Sequence, residues 1–399
     1  MSHVDIAIIG AGPAGLCLSR ALAGSGLSVA LIDQQPRSRL ASPPFDGREI
    51  ALTHSSRAAL EALGIWDRLP AASVYLLREA KVMNGPSLFS LKFDTTQRAA
   101  DTLGWLTPNQ QIRLAAWAAI DRQPGLRVLD STTVTSIERS ARASRLTLAD
   151  GKPLEARLVV AADSRFSAAR RMLGIGAQSR DYGKCMLVCR MRHARPHHHT
   201  AWEWFGYGKT LALLPLDEYH ASAVVTLSPE RIEALMGMGD LRFEAAISEL
   251  FEYRLGEMHV DGSRHAYPLV GVYADRFAGP RCALVGDAAV GMHPVTAHGF
   301  NFGLQSVVRL ATAITEAHRH GRDIADPRLL DRYAHAHRLA TRPLYEATHA
   351  LVSLYTDDRL PARFLRNAGL RLAQHISPFK AAVEAHLTHA KPAEIGQRQ

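Results

Sequence analysis

Apolar and polar residues along the first part of the chain follow a pattern that predicts alternating strands and helices. Residues 4–9 and 28–32 are apolar runs typical of buried strands, and residues 13–24 carry small and apolar side chains at helical spacing. A strand, a helix and a second strand in this order predict the start of a parallel α/β sheet. Further on, the pattern predicts helices at 55–63 and 108–120 and strands at 74–83, 87–93, 127–129, 132–138, 145–148 and 158–161.

A different pattern begins near Lys184. Longer strands are predicted there, with helices laid over them. We expect an antiparallel sheet that is inserted into the first domain and forms a substrate pocket. From Gly299 to Ile376 the chain is predicted to be almost entirely helical. The predicted strands of the inserted sheet are 185–191, 201–205, 210–215 and 221–227, and the helices are 229–235 and 241–251.

These elements divide the chain into two packed domains and a helical end. The segment 34–50 is rich in Pro, Ser and Arg and is predicted to be a loop. The expected boundaries are 1–73, 100–183 and 274–330 for the first, discontinuous domain, 74–99 and 184–273 for the inserted sheet domain, and 331–399 for C-terminal helices and a tail.

Composition fits a chain with a large core and argues against several functions. With 399 residues, 47% of them hydrophobic, the chain can bury the cores of two domains. The net charge of +9 comes mainly from dispersed Arg, and only 7% of residues are aromatic, so no nucleic-acid partner is expected. The N-terminus lacks a signal-peptide pattern, and no apolar run reaches the roughly 20 residues of a membrane span. We therefore expect a cytoplasmic protein, at most peripheral at the inner face of the membrane.

Cysteine and histidine spacing gives no metal site. Cys185 and Cys189 have no Cys or His partner at zinc-finger spacing, and all four cysteines are expected to be free thiols. The run His197-His198-His199 follows Pro196 in a predicted loop, where we expect solvated imidazoles.

A glycine fingerprint lies where the first predicted strand meets the first helix. In the segment Gly10-Ala11-Gly12-Pro13-Ala14-Gly15, the first glycine permits a tight turn. The second lets backbone N–H groups approach a pyrophosphate, and the third lets the helix pack closely on the strand. The helix N-terminus then faces the phosphates. The segment predicts a dinucleotide site.

Two acidic residues extend this site along the chain. Asp33, followed by Gln34, ends the second strand, where a carboxylate can accept hydrogen bonds from both ribose hydroxyls. Near the other end of the chain, Gly286-Asp287 follows a further apolar strand. The two strand–glycine elements predict one extended ligand, FAD, held at its adenosine end by the first element and further along by the second.

Three motifs in this order resemble the single-component FAD-dependent aromatic hydroxylases, most closely the branch that acts on ring precursors in ubiquinone biosynthesis. They are the fingerprint, the segment Ala161-Ala162-Asp163-Ser164-Arg165-Phe166-Ser167-Ala168-Ala169-Arg170, and Gly286-Asp287-Ala288-Ala289 with His293-Pro294 and Gly299-x-Asn301-x-Gly303. The segment Asp46-Gly47-Arg48-x-x-Ala51-Leu52-Thr53 also matches that branch. The resemblance implies a para-hydroxybenzoate-hydroxylase-like α/β fold, in which a Rossmann-like FAD-binding domain carries an inserted antiparallel β-sheet domain and a C-terminal helical region.

The resemblance also implies roles for individual residues. The Asp287 carboxylate holds a ribityl hydroxyl of FAD, and the N–H groups from Gly299 through Phe300 to Asn301 stabilise charge at the N1/C2=O edge of reduced flavin. The carbonyl of Pro294 lies near the flavin ring. The remaining cofactor-binding positions that the resemblance implies are Arg48, Asn109, Arg113, Val134 and Asp163.

In this family NAD(P)H reduces the flavin, O2 adds at C4a, and the resulting hydroperoxide transfers OH to an electron-rich ring. The implied substrate is a hydrophobic aromatic molecule, a polyprenylated ubiquinone precursor. The absence of a second fingerprint in the sequence fits a family in which NAD(P)H binds transiently. Association with a biosynthetic complex is compatible with this role.

The chain departs from the family pattern at two places. Ala161 and Ser164 replace two expected glycines around Asp163, and Ser164 lacks the access of glycine to positive φ. Ala297-His298 replaces the usual Gly-Gln pair beside the flavin. His298 is therefore the candidate catalytic residue, a proton relay whose imidazole titrates near neutral pH. The alternative is that it packs at the start of the helix.

Other functions on the same scaffold stay open at this point. One is a flavin-dependent reductase or halogenase, and another is a non-catalytic protein that binds FAD or a prenyl lipid. Trp202-x-Trp204 resembles part of the halogenase pattern without its continuation, and the two rings are predicted on one strand face, as a pocket wall or as core.

The predicted helix at 359–376 combines apolar residues with four arginines and no acidic residue between them. Such a basic amphipathic helix fits an anionic membrane interface, where a polyprenyl substrate resides. The alternative is docking on the core of the protein. The apolar positions are Leu360, Phe364, Leu365, Leu372 and Ile376, and the basic ones are Arg359, Arg363, Arg366 and Arg371.

Overall fold

The computed structural model describes residues 2–85, 90–94, 101–206, 208–294 and 298–356. The expected amphipathic helix at 359–376 and Ala297 lie outside the described residues. In chain order the strands are β1 (Ser2–Ile9), β2 (Val29–Ile32), β3 (Glu49–Leu52), β4 (Tyr75–Leu77), β5 (Glu79–Asn84), β6 (Ser90–Phe93), β7 (Gly104–Pro108), β8 (Leu126–Leu129), β9 (Val134–Arg139), β10 (Ser144–Leu148), β11 (Pro153–Ala161), β12 (Ala177–His193), β13 (Thr200–Phe205), β14 (Thr210–Pro215), β15 (His220–Leu227), β16 (Met258–Val260), β17 (His265–Ala274), β18 (Ala278–Gly279), β19 (Cys282–Leu284) and β20 (Val290–Gly291).

Helices cover the sheets and form the end of the described chain. In chain order they are α1 (Pro13–Ala21), α2 (Arg37–Ala41), α3 (His54–Ala62), α4 (Asn109–Ile120), α5 (Ala168–Met172), α6 (Pro229–Met236), α7 (Asp240–Leu250), α8 (Gly299–Arg319) and α9 (Pro327–Thr356), with short 3₁₀ turns at Trp66–Arg68, Ala71–Ser73 and Gly286–Ala288.

The first sheet is built around β1, which is buried on both faces. Its main path runs β18-β19-β11-β1-β2-β8, and β9 and β10 extend it beside β11. The pairs of β1 with β11 and β2 are parallel, with Ile6 opposite Leu158 and Val29. Continuous apolar runs suit such doubly covered parallel strands. The strand predicted at 158–161 is confirmed, and it forms the end of β11 in this sheet.

The second sheet follows the order β20-β17-β12-β15-β14-β13-β5-β6, with β16 beside β12. Its pairs are antiparallel except that between β13 and β5. Helices α6 and α7 cover one face, where Phe243 and Ile247 pack against Leu187, Leu213 and Val225. The expected inserted antiparallel sheet and its two covering helices are confirmed.

A small third sheet, β3-β7-β4, was not predicted from the sequence. The segment 34–50, predicted to be a loop, contains α2 and the start of β3. The strand predicted at 74–83 is two strands, because the chain breaks at Arg78, whose N–H donates to the carbonyl of His199. Strand β4 then joins the third sheet and β5 the second. The domain boundaries stay a prediction.

The histidine run is not fully solvated, contrary to expectation. His197 is buried, its Nε2 lies 3.0 Å from the carbonyl oxygen of His220, and its ring centroid lies 5.3 Å from that of His193. Within the ranges given above, no cluster of three or more His, Cys, Asp or Glu side chains is arranged to hold a metal ion. The four cysteines are free thiols. None of the helices in those ranges is long and apolar enough to cross a bilayer.

Candidate active site

The first glycine segment forms the turn from β1 into α1. Gly10 has φ +109°, and a Cβ there would lie 2.6 Å from Asp163 Cα. A Cβ on Gly15 would lie 1.8 Å from the carbonyl oxygen of Gly10, so strand and helix approach as closely as the backbone allows. A Cβ on Gly12 would meet nothing within 4 Å. Helix α1 begins at this open space with no side-chain cap and no acidic residue in its first turn, which suits an anion.

Asp33 lies beside this turn at the end of β2. Its Oδ2 accepts from the Ala11 N–H at 2.7 Å and its Oδ1 from the Gln35 N–H at 2.8 Å. A carboxylate has about four acceptor positions, so two remain for the hydroxyls of a ligand. Gln34 is exposed, and Val134 is buried at the start of β9. The carboxylate is therefore fixed at the carboxyl edge of the sheet, next to the helix start.

The middle motif joins the two glycine segments. Asp163 accepts from the Ser167 hydroxyl at 2.5 Å and from the Ala169 N–H at 3.3 Å, at the start of α5. The buried guanidinium of Arg170 donates to the carbonyl of Ala288 at 2.9 Å. Since Gly10 abuts Asp163, the motif connects the fingerprint to the Gly286–Ala288 turn.

The two substitutions in the middle motif leave the backbone unstrained. Ala161 ends β11, and Ser164 follows it in the turn before α5. Neither residue has a positive φ. Glycine is therefore not required at either position for its conformational freedom.

Gly286 is the point where α1, α8 and the second glycine segment meet. Its φ is +62°, and a Cβ on it would lie 2.7 Å from the Ala14 Cβ. A Cβ on Gly303 would lie 3.3 Å from the Cα of Gly286, and the Gly286 N–H donates to the Ser306 hydroxyl at 3.0 Å. The two glycine stretches, at opposite ends of the sequence, are thus in direct contact.

Asp287 presents a partly open carboxylate beside this contact. Its side chain is 37% exposed, and Oδ2 accepts from the Arg165 guanidinium at 3.1 Å. Arg165 also donates to the carbonyl of Val270 at 3.1 Å. Burial, with Arg165 nearby, lowers the pKa of His293 to about 4. His293 is therefore neutral at neutral pH, and Pro294 after it is exposed.

The start of α8 is a second uncapped helix N-terminus at open space. A Cβ on Gly299 would meet nothing within 4 Å, and no side chain caps the helix in the described structure. The buried Asn301 donates to the carbonyl of Ala51 at 2.8 Å and accepts from the Thr53 N–H at 3.2 Å. Asn301 thereby ties the helix start to the end of β3. Phe300 is half-buried against the core.

Asp46 organises a polar cluster that the sequence analysis did not include among the site residues. Its Oδ2 accepts from Arg48 at 2.6 Å and from Asn109 at 2.7 Å, and its carbonyl accepts from the Tyr267 hydroxyl at 2.7 Å. Burial opposes ionisation of Asp46, but Arg48 and these hydrogen bonds outweigh it and lower its pKa. In the sequence, the feature that could have identified Asp46 as a site residue is its place in the Asp46-Gly47-Arg48 motif.

Arg113 lies between the two ends of this site. Its Nε is buried without a hydrogen-bond partner in the described structure, and burial lowers the pKa of the guanidinium. The charges that act on it are those of Asp46, Arg48 and Asp33. A buried cation with an open donor fits an anionic group lying between Asp33 and Asp46.

Comparison with known proteins places the chain in a family. A family model described as FAD binding domain matches residues 3–348. The chain is 45% identical over 390 residues to the ubiquinone hydroxylase UbiM of Neisseria meningitidis, covering 97% of this chain and 85% of that protein. It is also 33% identical over 382 residues to the ubiquinone hydroxylase UbiL of Rhodospirillum rubrum, covering 96% and 89% of the two chains. The chain belongs to the FAD-dependent aromatic hydroxylases.

A solved structure supports the fold of this hydroxylase. The p-nitrophenol 4-monooxygenase PnpA from Pseudomonas putida superposes with a TM-score of 0.77 at 16% identity, covering 97% of this chain and 98% of that one. At that identity the likeness concerns the fold alone. The fold predicted from the family resemblance is confirmed.

The geometry of the hydroxylase fits FAD at three places. Two uncapped helix starts, at Gly12 and Gly299, border open space, and Arg113 adds a buried donor between the acidic residues. The contacts of individual residues with FAD stay predictions. Of the two alternatives for Trp202 and Trp204, the structure shows core packing: Trp204 is buried on the helix-covered side of the sheet and donates to the carbonyl of Gly85 at 2.9 Å.

The candidate relay His298 precedes α8, with its ring centroid 5.8 Å from that of Phe302. We expect His298→Gln to retain FAD and to shift the pH profile of hydroxylation, because glutamine forms hydrogen bonds but does not titrate. Flavin content and the pH dependence of product formation measure this. Superimposable pH profiles for the two proteins would assign His298 to packing on Phe302.

Proposed function

We propose that the chain binds FAD between its two glycine segments and, with NAD(P)H and O2, hydroxylates the ring of a polyprenylated ubiquinone precursor. The observation that carries this proposal is the 45% identity to a ubiquinone hydroxylase over 97% of the chain. The direct contact between the fingerprint and the Gly286-Asp287 segment supports it, since one extended cofactor needs both.

In this proposal the first segment holds the adenosine end of FAD. Open space at Gly12 and the N-terminus of α1 receive the pyrophosphate, with Arg113 as a cationic partner. Asp33 accepts hydrogen bonds from the ribose hydroxyls. The bound cofactor supplies the redox chemistry, taking electrons from NAD(P)H and activating O2 for transfer of one oxygen atom.

The second segment would hold the flavin end. Asp287 accepts a hydrogen bond from the ribityl chain, and the N–H groups from Gly299 onward stabilise negative charge on the flavin ring. Asn301 keeps this helix start in place through Ala51 and Thr53. Arg48 is hydrogen-bonded to the Asp46 carboxylate. It lies next to the second sheet, because the carbonyl of Asp46 accepts a hydrogen bond from Tyr267 of that sheet.

We further propose that the domain of the second sheet, with the boundaries 74–99 and 184–273, binds the substrate. We also propose that the protein is cytoplasmic and contacts an anionic membrane peripherally. The hydrophobic chain of a polyprenyl substrate favours access from a bilayer. The arginines at 359–371 supply positive charge that anionic headgroups attract.

Membrane contact predicts weak, salt-sensitive binding to vesicles. We expect the full chain to sediment with anionic liposomes at low salt, less at high salt, and a variant ending at Asp358 to sediment less, because screening weakens attraction between exposed charges. Neutral vesicles are the control. Equal sedimentation of the folded truncated protein, or no dependence on anionic lipid, would contradict membrane contact through this segment.

The proposed function is tested in cells that lack this chain. They are expected to accumulate a ubiquinone precursor that lacks one ring hydroxyl, and the wild-type chain should restore the quinone. The Asp287→Ala variant should not restore it. An unchanged quinone profile in the deleted strain would overturn the proposed substrate. If the wild-type chain instead brings back a chlorinated or a reduced product, the result favours the halogenase or the reductase.

A further inference from the structure

Glu203 occupies an unusual position in the second sheet. On β13 its neighbours Trp202 and Trp204 point to the face that α6 and α7 cover, so Glu203 points to the opposite face. The residues aligned with it across five neighbouring strands are all apolar. They are Leu91, Val82, Ala212, Val224 and Val188.

Two apolar clusters lie on this face, one on each side of Glu203. The first contains Leu91, Phe93, Leu103 and Phe205, with Leu354 of α9 packed against it. The second is built of Met186, Val188 and Leu269, with Val224 and Tyr267 against it. Ala212 and Glu203 belong to neither cluster, and both are only half-buried. Between these two apolar walls lies a strip, the trough, that holds Ala212 and a single carboxyl, that of Glu203.

The trough adjoins the proposed flavin end of the site. Tyr267, in the second wall, donates to the carbonyl of Asp46, whose carboxylate holds Arg48. Arg190, on the same sheet face, donates to Glu49 at 2.8 Å. The positions aligned with Glu203 carry only apolar side chains, and the one nearest along β14, Ala212, is small.

The Glu203 carboxyl has no electrostatic partner in this trough. It makes no hydrogen bond or ion pair with any residue in the described ranges, and burial raises its pKa well above the ordinary value. None of the other charged or titratable groups that strand register and packing place on this face contributes to the shift. They are Tyr182, Arg190, Arg192, His220, His265 and Tyr267. Lys81, Lys209 and Arg254 lie on the helix-covered side. Burial thus favours the protonated form of Glu203, which offers one O–H donor and one carbonyl acceptor.

We propose that Glu203 is the specificity-determining residue that binds the oxygen substituents of the aromatic substrate. This inference rests on the proposed function, which supplies an oxygenated ring as the substrate. In its protonated form the carboxyl accepts a hydrogen bond from a ring hydroxyl and donates one to an adjacent ring oxygen. The two apolar walls contact the ring faces and the hydrophobic chain. By fixing the oxygenated edge of the ring, Glu203 decides which ring carbon points toward the flavin.

Ligand binding to the FAD-loaded protein tests this role. The probes are a short-chain alkyl methoxyphenol and the matching alkylbenzene, and binding is measured through the flavin absorbance. For Glu203→Leu we expect about tenfold weaker binding of the methoxyphenol, through loss of two hydrogen bonds, and unchanged binding of the alkylbenzene. Glu203→Gln, which keeps a donor and an acceptor, should bind the methoxyphenol nearly as wild type does.

Product analysis distinguishes this inference from the proposed function. We expect Glu203→Leu to oxidise NAD(P)H with a reduced yield of hydroxylated product, and Glu79→Gln, on the opposite face of the same sheet, to match wild type. If wild type hydroxylates the precursor and Glu203→Leu does so with equal affinity, yield and ring position, the role of Glu203 is wrong. If wild type itself neither binds nor hydroxylates oxygenated rings, the proposed function fails.

The stability of the variants supplies a readout independent of activity. Because the pKa of Glu203 is raised in the folded state, unfolding releases a proton above the unfolded pKa of about 4.3, and this destabilises the fold as pH rises. Glu203→Gln removes that effect, so its melting temperature relative to wild type should rise as the pH is raised above about 4.3. A difference between Glu203→Gln and wild type that does not change with pH would contradict a neutral, desolvated carboxyl.

Discussion

Gly15→Ala is expected to destabilise the whole fold. The new Cβ would lie 1.8 Å from the carbonyl oxygen of Gly10, which belongs to the backbone and cannot swing away as a flexible side chain could. Strand β1 and helix α1 must then separate at the centre of the first sheet. We expect the free energy of unfolding of the FAD-free protein to fall by about 3 kcal/mol or more, measured by denaturant titration. An unchanged denaturation midpoint would contradict the close packing of α1 on β1.

Gly12→Ala is the matched control on the same turn. Its Cβ meets nothing within 4 Å in the protein, and Gly12 has a φ of −73°, which alanine adopts freely. The variant should therefore fold with the stability of the wild-type protein when FAD is absent. Its methyl group would occupy the space proposed for the pyrophosphate, so FAD affinity should fall. A variant that keeps wild-type FAD affinity would show that the pyrophosphate lies elsewhere.

Asp287→Ala is expected to lose most of its FAD while it stays folded. The variant removes a hydrogen bond from a charged acceptor, worth about 1.5 to 3 kcal/mol, which corresponds to about tenfold to a hundredfold weaker FAD binding. The fold should survive, because the ion pair between Asp287 and Arg165 is partly exposed and such pairs contribute roughly 1 kcal/mol or less. Flavin absorbance after purification and titration of the FAD-free protein with FAD measure the loss.

Asp287→Asn supplies the control for this prediction. The amide keeps an acceptor oxygen at the same position, so FAD binding should weaken less than in Asp287→Ala. Circular dichroism shows whether both variants are folded. Wild-type FAD affinity in the folded Asp287→Ala variant would remove Asp287 from the cofactor site.

Elements with continuous or strongly periodic patterns were predictable from the sequence. The apolar runs that became β1, β2 and β11 are buried on both faces, so their composition alone marked them as strands. The helix predicted at 55–63 is α3, and the Thr53 hydroxyl caps its start by accepting from the Ser56 N–H at 3.2 Å. Local chemistry and burial agree at these positions, and the predictions were correct.

Elements that depend on distant partners were not predictable. Strand β3 is only four residues long and owes its existence to β7, more than fifty residues further on. His197 is buried because β15 supplies the carbonyl of His220. The Asp46 cluster brings together Arg48, Asn109 and Tyr267 from three separate segments. No local pattern marks such contacts, because tertiary packing decides them.

The candidate site was predictable where glycine is required by close approach. Gly10, Gly15 and Gly286 each leave no room for a side chain, and the motifs that contain them were recognised in the sequence. The position of Glu203 became clear only from strand register, since a single glutamate between two tryptophans carries no sequence signal for a site. Register decides which face of a sheet a residue occupies.

Incorporation of labelled oxygen shows whether the chain is an FAD-dependent ring hydroxylase. The FAD-loaded protein is supplied with NAD(P)H, isotopically labelled O2 and a short-chain ubiquinone precursor, and the product is analysed by mass spectrometry. We predict a hydroxylated ring that carries one labelled oxygen atom, together with NAD(P)H oxidation that the precursor accelerates. Product without the label, or NAD(P)H oxidation that the precursor does not change, would contradict an FAD-dependent ring hydroxylase.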